Sequence, residues 1–475
     1  AAYIAQHGLD TIFNDAVTEL VKTQPDDPVG ALAKLIKAKA RPPTISKVVG
    51  REVLDSRGNP TVEVDVYVSY LGNELFAGRS SAPSGASTGS NEARELRDKD
   101  PKRYGGKGTL TAANNVTTKI SPVLKGQPLW YIEKLDKLIL ELDGTELKEN
   151  IGGNATTATS FALAESAATL QGIQLFEHIA TNYWGKGNEP KKYKLPSPCF
   201  NILNGGKHAG GKLQIQEFML TPARKFSYPD QLRVVAEVYQ KLGALLVKEI
   251  NISAKNLGDE GGFAPNLDSP DQALDLIQRA VQEAGYVPAE DVFYCLDCAS
   301  SEFYKEGKYE VEHEKFLSGD ELIQYYNDLV AKYPAIISVE DPFDEKDYET
   351  WAKWTAQIGD KVQIVGDDLY TTNPKTIALG LEGKWANALL LKVNQIGSIT
   401  EAFQAAKLIL DAGQKVMVSH RSGETCNSVI ADIAVGIGAQ YIKTGSTARG
   451  ERIQKYTRLL QIYEYLVAKD LLAPE

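Results

Sequence analysis

Cysteine is scarce in this sequence, which contains four, Cys199, Cys295, Cys298 and Cys426, among 475 residues. Four scattered cysteines do not form a disulfide framework in a chain of this length, so we expect a reducing compartment. Cys295 and Cys298 make a CxxC, but they lie in a predicted strand, where positions three apart face opposite sides. We therefore predict two small core residues there and not a zinc or redox site.

Long apolar runs are also lacking. No stretch of 18 apolar residues occurs, and the first ten residues, AAYIAQHGLD, contain neither a basic nor an apolar leader segment. We therefore expect a cytoplasmic protein without a membrane span. Positive charge is not in excess, since the net charge is −10 at pH 7, and an acidic chain is a poor ligand for nucleic acid.

Apolar periodicity divides the chain into three predicted units. In residues 1–43, apolar residues recur at three- and four-residue spacing in two runs separated by QPDDP, which predicts a short helical pair. Asp27 followed by Pro28 suits the start of the second helix. Two helices of this size cannot bury their apolar faces alone, so they must pack on the rest of the protein, on a second copy or on a partner helix.

Residues 44–190 first alternate apolar and polar residues around GN turns, which predicts an antiparallel meander, and then show helical stretches at about 112–142 and 156–180. We interpret this unit as an α+β cap domain. In residues 191–475, short apolar strands alternate with helices, which predicts a β/α barrel of parallel strands. A doubly wound sheet is the alternative, although no GxGxxG opens any of these helices.

Charged residues follow one another at the ends of six predicted strands. If the strands are parallel and form a barrel, these side chains converge on one rim, where enzymes of this architecture place their active sites. A single polar residue after a strand is uninformative, but six in succession indicate a functional site. The six residues are Asp297, Glu340, Asp367, Lys392, His420 and Lys443.

The three carboxylates Asp297, Glu340 and Asp367 are hard oxygen ligands, which suit Mg²⁺ or Mn²⁺. The alternative is a set of salt bridges to neighbouring lysines and arginines. Lys392 could act as a base if nearby cations and a metal lower its pKa. His420, Arg421, Ser422 and Lys443 together could clamp a phosphate or a carboxylate, which implies an anionic substrate.

Three glycine-rich segments complete the candidate site. SAPSGASTG at residues 81–89 fits a flexible lid, or a plain connection between a strand and a helix. GGKHAGGK at residues 205–212 is close to a P-loop, but it lacks the Ser or Thr and precedes a strand, so we reject nucleotide binding. Glu260 lies among glycines in NLGDEGGFAP, and Glu217, at the end of the predicted strand LQIQE, could act with it.

Residues 44–475 resemble the enolase family through SAPSGASTG, NGGKHAGGKLQIQEFM, GDEGGFAP, LDCASSEF, SVEDPF, GDDL, LLLKVNQIG, SHRSGET and IKTG. The resemblance implies an α+β cap on a β/α barrel and a homodimer. It also implies Mg²⁺-dependent interconversion of 2-phosphoglycerate and phosphoenolpyruvate, with two metal ions in each site.

The resemblance also implies a role for each matching residue. Lys392 would be the base, and Glu260, supported by Glu217, the acid. Asp297, Glu340 and Asp367 would hold the first Mg²⁺ and Ser87 the second, while His208 would close over the substrate. The substrate would be bound by these side chains together with Gln216, His420, Arg421, Ser422 and Lys443.

This sequence departs from the enolase pattern at three places. Lys207 stands where the family usually has a serine before the loop histidine, Cys426 and Asn427 replace a usually acidic pair, and Gly450 replaces a usual serine. None of these positions carries a catalytic group. We therefore expect activity with altered kinetics or altered dimer strength.

Residues 1–43 lie outside the enolase pattern and resemble the Dpy-30/RIIα docking-and-dimerisation motif, a helical pair that forms a dimeric four-helix bundle and grips an amphipathic helix. This resemblance implies tethering to a scaffold protein, as in a cilium or flagellum. The alternative is an extra helical pair packed on the cap. For the whole chain the alternatives to a tethered enolase are a superfamily member with another carboxylate substrate and a structural subunit that no longer turns over.

Overall fold

The computed structural model describes residues 2–86, 89–209 and 211–474. Three helices open the chain, α1 (Ala2–Gln6), α2 (Leu9–Thr23) and α3 (Pro28–Lys37). The Asp27 side chain accepts a hydrogen bond from the Gly30 amide at 2.9 Å, so the DP turn starts α3 as predicted. Ala16 is buried in α2, whereas Phe13, Val17 and Val21 are 48%, 48% and 67% exposed. One apolar face of the helical pair is therefore uncovered.

An antiparallel sheet follows, and its strands pair in chain order as the meander pattern predicts. It consists of β1 (Thr44–Leu54), β2 (Pro60–Tyr70) and β3 (Asn73–Ser81). The inward residues of β2 are buried valines, which pack in one core with the helices that cover the sheet. Those helices are α4 (Leu110–Asn115), α5 (Ser121–Leu124), α6 (Ile132–Asp143) and α7 (Gly153–Gln171), whereas α8 (Leu175–Trp184) packs in the core that surrounds the barrel.

The predicted helical stretch over about 112–142 is interrupted in the structure. A π-helical segment, Val116–Ile120, joins α4 to α5, and the helix then ends at Leu124. Gly126, with φ of +81°, and Pro128, which has no amide hydrogen, break the helix before α6 begins.

The rest of the chain forms a closed barrel of eight strands, which excludes the doubly wound sheet. A small antiparallel sheet, β7–β9, is inserted between two of the barrel strands. The strands are β4 (Ser197–Asn204), β5 (Glu217–Pro222), β6 (Val292–Asp297), β7 (Tyr304–Lys305), β8 (Lys308–Glu312), β9 (Lys315–Leu317), β10 (Ile336–Glu340), β11 (Gln363–Gly366), β12 (Ala388–Leu391), β13 (Lys415–Ser419) and β14 (Tyr441–Lys443).

The prediction that all barrel strands are parallel was wrong for β5, which runs antiparallel to β4 and to β6. The connection between β4 and β5 spans residues 205–216 and contains one helix of four residues, Gly206–Ala209. A parallel pair requires a crossover that carries the chain back along the barrel, usually by a longer helix. The chain turns back instead, so the beginning of β5 lies at the rim where its neighbours end.

Helices surround the barrel and bury its outer face. They are α8 together with α10 (Tyr228–Glu249), α11 (Pro270–Glu283), α12 (Gly319–Lys332), α13 (Tyr348–Ile358), α14 (Pro374–Gly383), α15 (Val393–Ile396), α16 (Ile399–Asp411), α17 (Val429–Ile437) and α18 (Gly450–Ala468). The short helix α9 (Gly206–Ala209), in the connection between β4 and β5, has no buried residue. Cys295 belongs to the cluster inside the barrel, and Cys298, which directly follows β6, belongs to the outer core, so the two side chains are buried on opposite sides as predicted. None of the helices in the described part of the chain is both long and apolar enough to cross a membrane.

Polar contacts join the N-terminal sheet and helices to the barrel. Lys148 pairs with Glu401, Nζ to Oε1, at 2.6 Å, and the Thr400 hydroxyl donates a hydrogen bond to Asp136 at 2.7 Å. Lys148 and Asp136 are buried, so these contacts are shielded from water. They join α6 and the connection between α6 and α7 to residues 400–401 of the barrel region.

Candidate active site

The six charged residues predicted to share a rim do so in the structure. Asp297, Glu340 and Lys443 end β6, β10 and β14, while Asp367, Lys392 and His420 directly follow β11, β12 and β13. One pocket at this rim is lined by most of them together with residues from the lid segment and from the loops after β4 and β6. Its other lining residues include Glu92, His208, Gln216, Glu217, Glu260, Asp341, Asp368, Arg421 and Ser422.

Lys443 is the central cation of the pocket. Its Nζ lies 3.3 Å from Glu217, 3.1 Å from Asp297 and 2.8 Å from Glu340, and the side chain is buried. Burial alone would lower the pKa of Lys443, but the three carboxylates outweigh it and raise the pKa well above its ordinary value. Lys443 therefore stays charged and neutralises part of the acidic rim.

Lys392 pairs with Asp367, with Nζ and Oδ2 2.5 Å apart. Burial, Arg421 and Lys443 favour the neutral amine, as the sequence suggested, but Asp367 outweighs them and the pKa of Lys392 is raised. The charge of Asp367 thus opposes the lowering of the Lys392 pKa that a role as base requires. The same contact affects Asp367. Burial alone would raise the pKa of Asp367, but the charges of Lys392 and Lys443 hold it below its ordinary value.

Glu217 and Glu260 form an acidic pair on another side of the pocket. His208 Nδ1 lies 3.9 Å from each of them, and Asn201 donates a hydrogen bond to Glu260 Oε2 at 3.0 Å. Burial and the charge of Glu260 raise the pKa of Glu217 well above its ordinary value. Burial would raise the pKa of Glu260 as well, but His420 and His208 lower it well below. The pKa values of these two adjacent carboxyl groups are thus shifted in opposite directions, so Glu217 holds a proton more readily than Glu260.

Glu217 was predicted at the end of a strand, and this placement was wrong. The strand is β5, which begins at Glu217, while residues 213–216 precede it as a loop. The antiparallel direction of β5 brings its first residue to the rim, so the side chain still reaches the pocket. Gln216, from the loop, donates a hydrogen bond to Asp297 Oδ2 at 3.5 Å.

Arg421 and Ser422, two residues of the predicted anion clamp, lie beside residues 84–85. Arg421 is buried and donates hydrogen bonds to Glu92 at 2.9 and 3.3 Å and to Asn394 at 3.1 Å. Arg57 donates to the Ser422 hydroxyl at 3.2 Å and to the carbonyls of Ser84 and Gly85. The lid segment is thus tied to the Arg421 loop. Ser87, the predicted lid ligand, lies outside the described residues.

Two comparisons with known protein families bear on this geometry. Residues 192–473 match the family described as the enolase C-terminal TIM barrel domain, and residues 45–179 match the enolase N-terminal domain. This chain belongs to the enolase family. Membership supports lyase chemistry of the enolase type, on a small phosphorylated substrate and with Mg²⁺, as is general in that family.

The acidic groups in this enolase-family pocket fit a divalent cation in chemistry. Among the described residues, ligand oxygens of Asp341, Asp367 and Asp368 lie within 4.8 Å of one another. Burial and neighbouring carboxylates raise the pKa of Asp341 and of Asp368 well above the ordinary value, because nearby like charges repel. A hard dication suits such an oxygen set. The three predicted metal ligands each contact a lysine. Lys443 Nζ contacts Asp297 and Glu340, and Lys392 Nζ contacts Asp367.

Sequence reasoning missed four residues of the site, Glu92, Asp341, Asp368 and Gln395. Gln395 donates hydrogen bonds to Asp367 at 2.7 Å and to Glu92 at 3.3 Å, and so links a predicted metal ligand to the residue that holds Arg421. Asp341 and Asp368 directly follow two predicted ligands in SVEDPF and GDDL, so the acidic pairs were a usable signal. No local pattern indicates that Glu92 meets Arg421.

The residues at the three departures from the enolase pattern are not among the described residues that line the pocket. Lys207 points away to pair with Glu302, and its side chain is 56% exposed. Cys426 is exposed, and Asn427 donates a hydrogen bond to the Ser81 carbonyl at 2.7 Å. Gly450 begins α18 with open space where a Cβ would lie.

Proposed function

We propose that this protein is a phosphopyruvate hydratase that interconverts 2-phosphoglycerate and phosphoenolpyruvate in glycolysis and gluconeogenesis. The observation that carries the proposal is that one pocket contains both an amine and a pair of carboxyl groups, at different places in its lining. The amine of Lys392 lies among the acidic strand ends, and the pair of Glu217 and Glu260 lies beside Lys443 and the histidines. A base and an acid placed on different residues of one pocket suit a dehydration, in which one proton is removed and another is given to the departing hydroxide.

In this mechanism Lys392 Nζ removes the proton next to the substrate carboxylate, and Glu260, supported by Glu217, protonates the departing hydroxide. Because the pKa of Glu217 is raised and that of Glu260 is lowered, Glu217 holds a proton more readily, and its supporting role is to share that proton with Glu260. The ring of His208, 3.9 Å from both acids, covers this side of the pocket and excludes water. Arg421, Ser422, Gln216, His420 and Lys443 hold the phosphate and the carboxylate.

We propose two Mg²⁺ ions in each site, with Mn²⁺ as an alternative. Asp297, Glu340 and Asp367 would hold the first ion and Ser87 the second. When bound, the ions would supply positive charge beside Asp367, which would lower the pKa of Lys392 and stabilise the negative charge developing on the substrate carboxylate. The buried carboxylates with raised pKa values beside Asp367 support a cation at this rim.

The test is phosphoenolpyruvate formation from 2-phosphoglycerate, with Mg²⁺ and with excess chelator. Lys392→Ala should lower kcat by ~10²–10⁴-fold, the range for loss of a general base. Lys148→Ala is a matched control, because Lys148 is also buried and ion-paired but joins the cap to the barrel outside the pocket. It should keep kcat. A folded, Mg²⁺-loaded wild type without turnover would contradict the proposal and favour another carboxylate substrate or a catalytically weak structural subunit.

We also propose three units, residues 1–43, 44–190 and 191–475, in which the first acts in docking and dimerisation. The uncovered stripe of Phe13, Val17 and Val21 on α2 supports this role. A second copy would complete a four-helix bundle, and an amphipathic helix of a scaffold protein would bind to it. A cytoplasmic enzyme, tethered in a cilium or flagellum, would then supply ATP locally.

The dimer can be tested in the full chain by measuring its dissociation constant by analytical ultracentrifugation. Val17→Asp places a charge on the uncovered stripe and should weaken the dimer by about tenfold or more, which corresponds to ~1.4 kcal/mol. Thr18→Asp adds the same charge at an exposed neighbouring position and should leave the constant unchanged. Equal constants for both variants and the wild type would contradict dimerisation through residues 1–43.

A further inference from the structure

Arg452, in the first turn of α18, is one of the largest fully buried side chains of the described protein, with 0% exposure. A buried charge is costly unless its donors are satisfied. The guanidinium donates to the Arg421 carbonyl at 2.6 Å, the Ser422 carbonyl at 2.6 Å and the Asp259 carbonyl at 3.0 Å. Arg452 thereby joins the loop before Glu260 to the loop that carries the anion clamp.

The fourth contact of Arg452 determines where the proton of His420 lies. Arg452 Nη1 is 2.7 Å from His420 Nδ1. A guanidinium only donates hydrogen bonds, so Nδ1 must be the unprotonated acceptor. A neutral imidazole has one N–H, which is then on Nε2. This atom is buried and lies 3.3 Å from Glu260 Oε2.

The charge state of His420 agrees with this assignment. Burial lowers the pKa of His420 to about 4, against the opposing effect of Glu260, and the positive charge of Arg452 acts in the same direction as burial. The ring is therefore neutral at neutral pH. Its Nε2–H faces the proposed acid without adding a full charge.

We propose that Arg452 is a positioning residue of the enolase reaction proposed above: it holds His420 as the Nε2–H tautomer facing Glu260 and aligns the Glu260 loop with the Arg421 loop. The inference rests on the proposed function for its catalytic consequence. Arg452 lies behind His420, and the described residues that line the pocket do not include it. Its loss should therefore lower kcat more than it raises KM.

The first measurement needs no mutation of Arg452. The full-length, Mg²⁺-loaded protein is labelled with ¹⁵N-histidine, and the His420 signals are assigned by their disappearance in His420→Gln. We expect an unprotonated Nδ1 and a protonated Nε2 at neutral pH. An Nδ1–H tautomer or an imidazolium in the wild type would overturn the inference, whatever the variants do.

The second measurement compares matched variants in the same helix. Arg452→Met removes every donor and should produce a mixture of His420 tautomers with a fall in kcat of about 10²-fold. Arg452→Lys keeps a charged donor and should restore the Nε2–H tautomer and part of the rate. Arg458→Met is the control, because Arg458 is paired with Asp432 and lies outside the pocket lining. It should change neither quantity.

A folded Arg452→Met protein with the wild-type tautomer and wild-type kcat would overturn the inference. Failure of the proposed function is distinguishable from this result. Absence of phosphoenolpyruvate formation by the wild type would overturn the proposed function and the catalytic consequence with it. Wild-type turnover together with an Nδ1–H His420 would overturn the inference alone.

Discussion

The buried ion pair between Glu92 and Arg421 links folding stability to anion binding. Both side chains are at most 5% exposed, and Glu92 also accepts a hydrogen bond from the Gly89 amide at 3.0 Å. Glu92→Gln keeps the shape and that hydrogen bond but removes the charge. Loss of one partner from a buried pair costs ~3–5 kcal/mol, so the apparent melting temperature should fall.

Inorganic phosphate should reverse part of this loss. If Arg421 belongs to the phosphate clamp, a bound anion replaces the missing carboxylate charge, and Glu92→Gln also removes a negative charge that opposes anion binding. We expect phosphate to bind the variant about tenfold more tightly than the wild type, a gain of ~1.4 kcal/mol. At saturating phosphate the extra affinity appears directly as extra stabilisation.

The assay is differential scanning calorimetry of the full chain across a phosphate titration. Glu401→Gln is the matched control, because it breaks another ion pair between the N-terminal region and the barrel, with Lys148, away from the pocket. It should lower the melting temperature without gaining phosphate stabilisation. Equal stabilisation by phosphate of Glu92→Gln, the wild type and Glu401→Gln would show that the charge of Glu92 does not oppose anion binding at Arg421.

Two further predictions concern acid stability and the loop after Glu260. Burial lowers the pKa of His178 to about 4, so its contribution to stability is present above the ordinary value of 6.5 and is lost as pH falls towards 4. In urea unfolding between pH 6.5 and 4, His178→Gln should remove about 3 kcal/mol of this acid destabilisation. His313→Gln, at an exposed residue, is the control and should not. Equal slopes of unfolding free energy against pH for the two variants would contradict the prediction. Gly261 has φ of +86° and no room for a Cβ, which would lie 2.4 Å from the Ala448 carbonyl oxygen. Gly285 has φ of +88° but open space at its Cβ position, so Gly285→Ala is the control. Gly261→Ala should be more destabilised in urea, and slower in turnover, than Gly285→Ala. Equal effects of the two substitutions would show that the contact with Ala448 is unimportant.

Much of the barrel could be predicted from local patterns. Each barrel strand is a short apolar run that ends at a polar residue, and this pattern involves only a few consecutive residues. The six positions at the rim could therefore be predicted from the sequence. The start of α3 at Asp27 and Pro28 was predicted for the same reason, because a helix cap involves neighbours in the chain. The direction of β5 was not predicted, since it depends on how the chain returns between β4 and β6.

By itself the sequence determined which chemical groups stand at the strand ends and which segments form helices, because those features depend on side chains within one or two turns. Only the tertiary structure decided the electrostatics of the pocket. Lys392 is charged because Asp367 lies against it, and Glu92 meets Arg421 across two regions of the chain. Such pairings join residues far apart in sequence, and burial makes their charges act strongly at short range. In the same way, the ring nitrogen of His420 that carries the proton is determined by Arg452, whose contacts form only when α18 packs against the barrel.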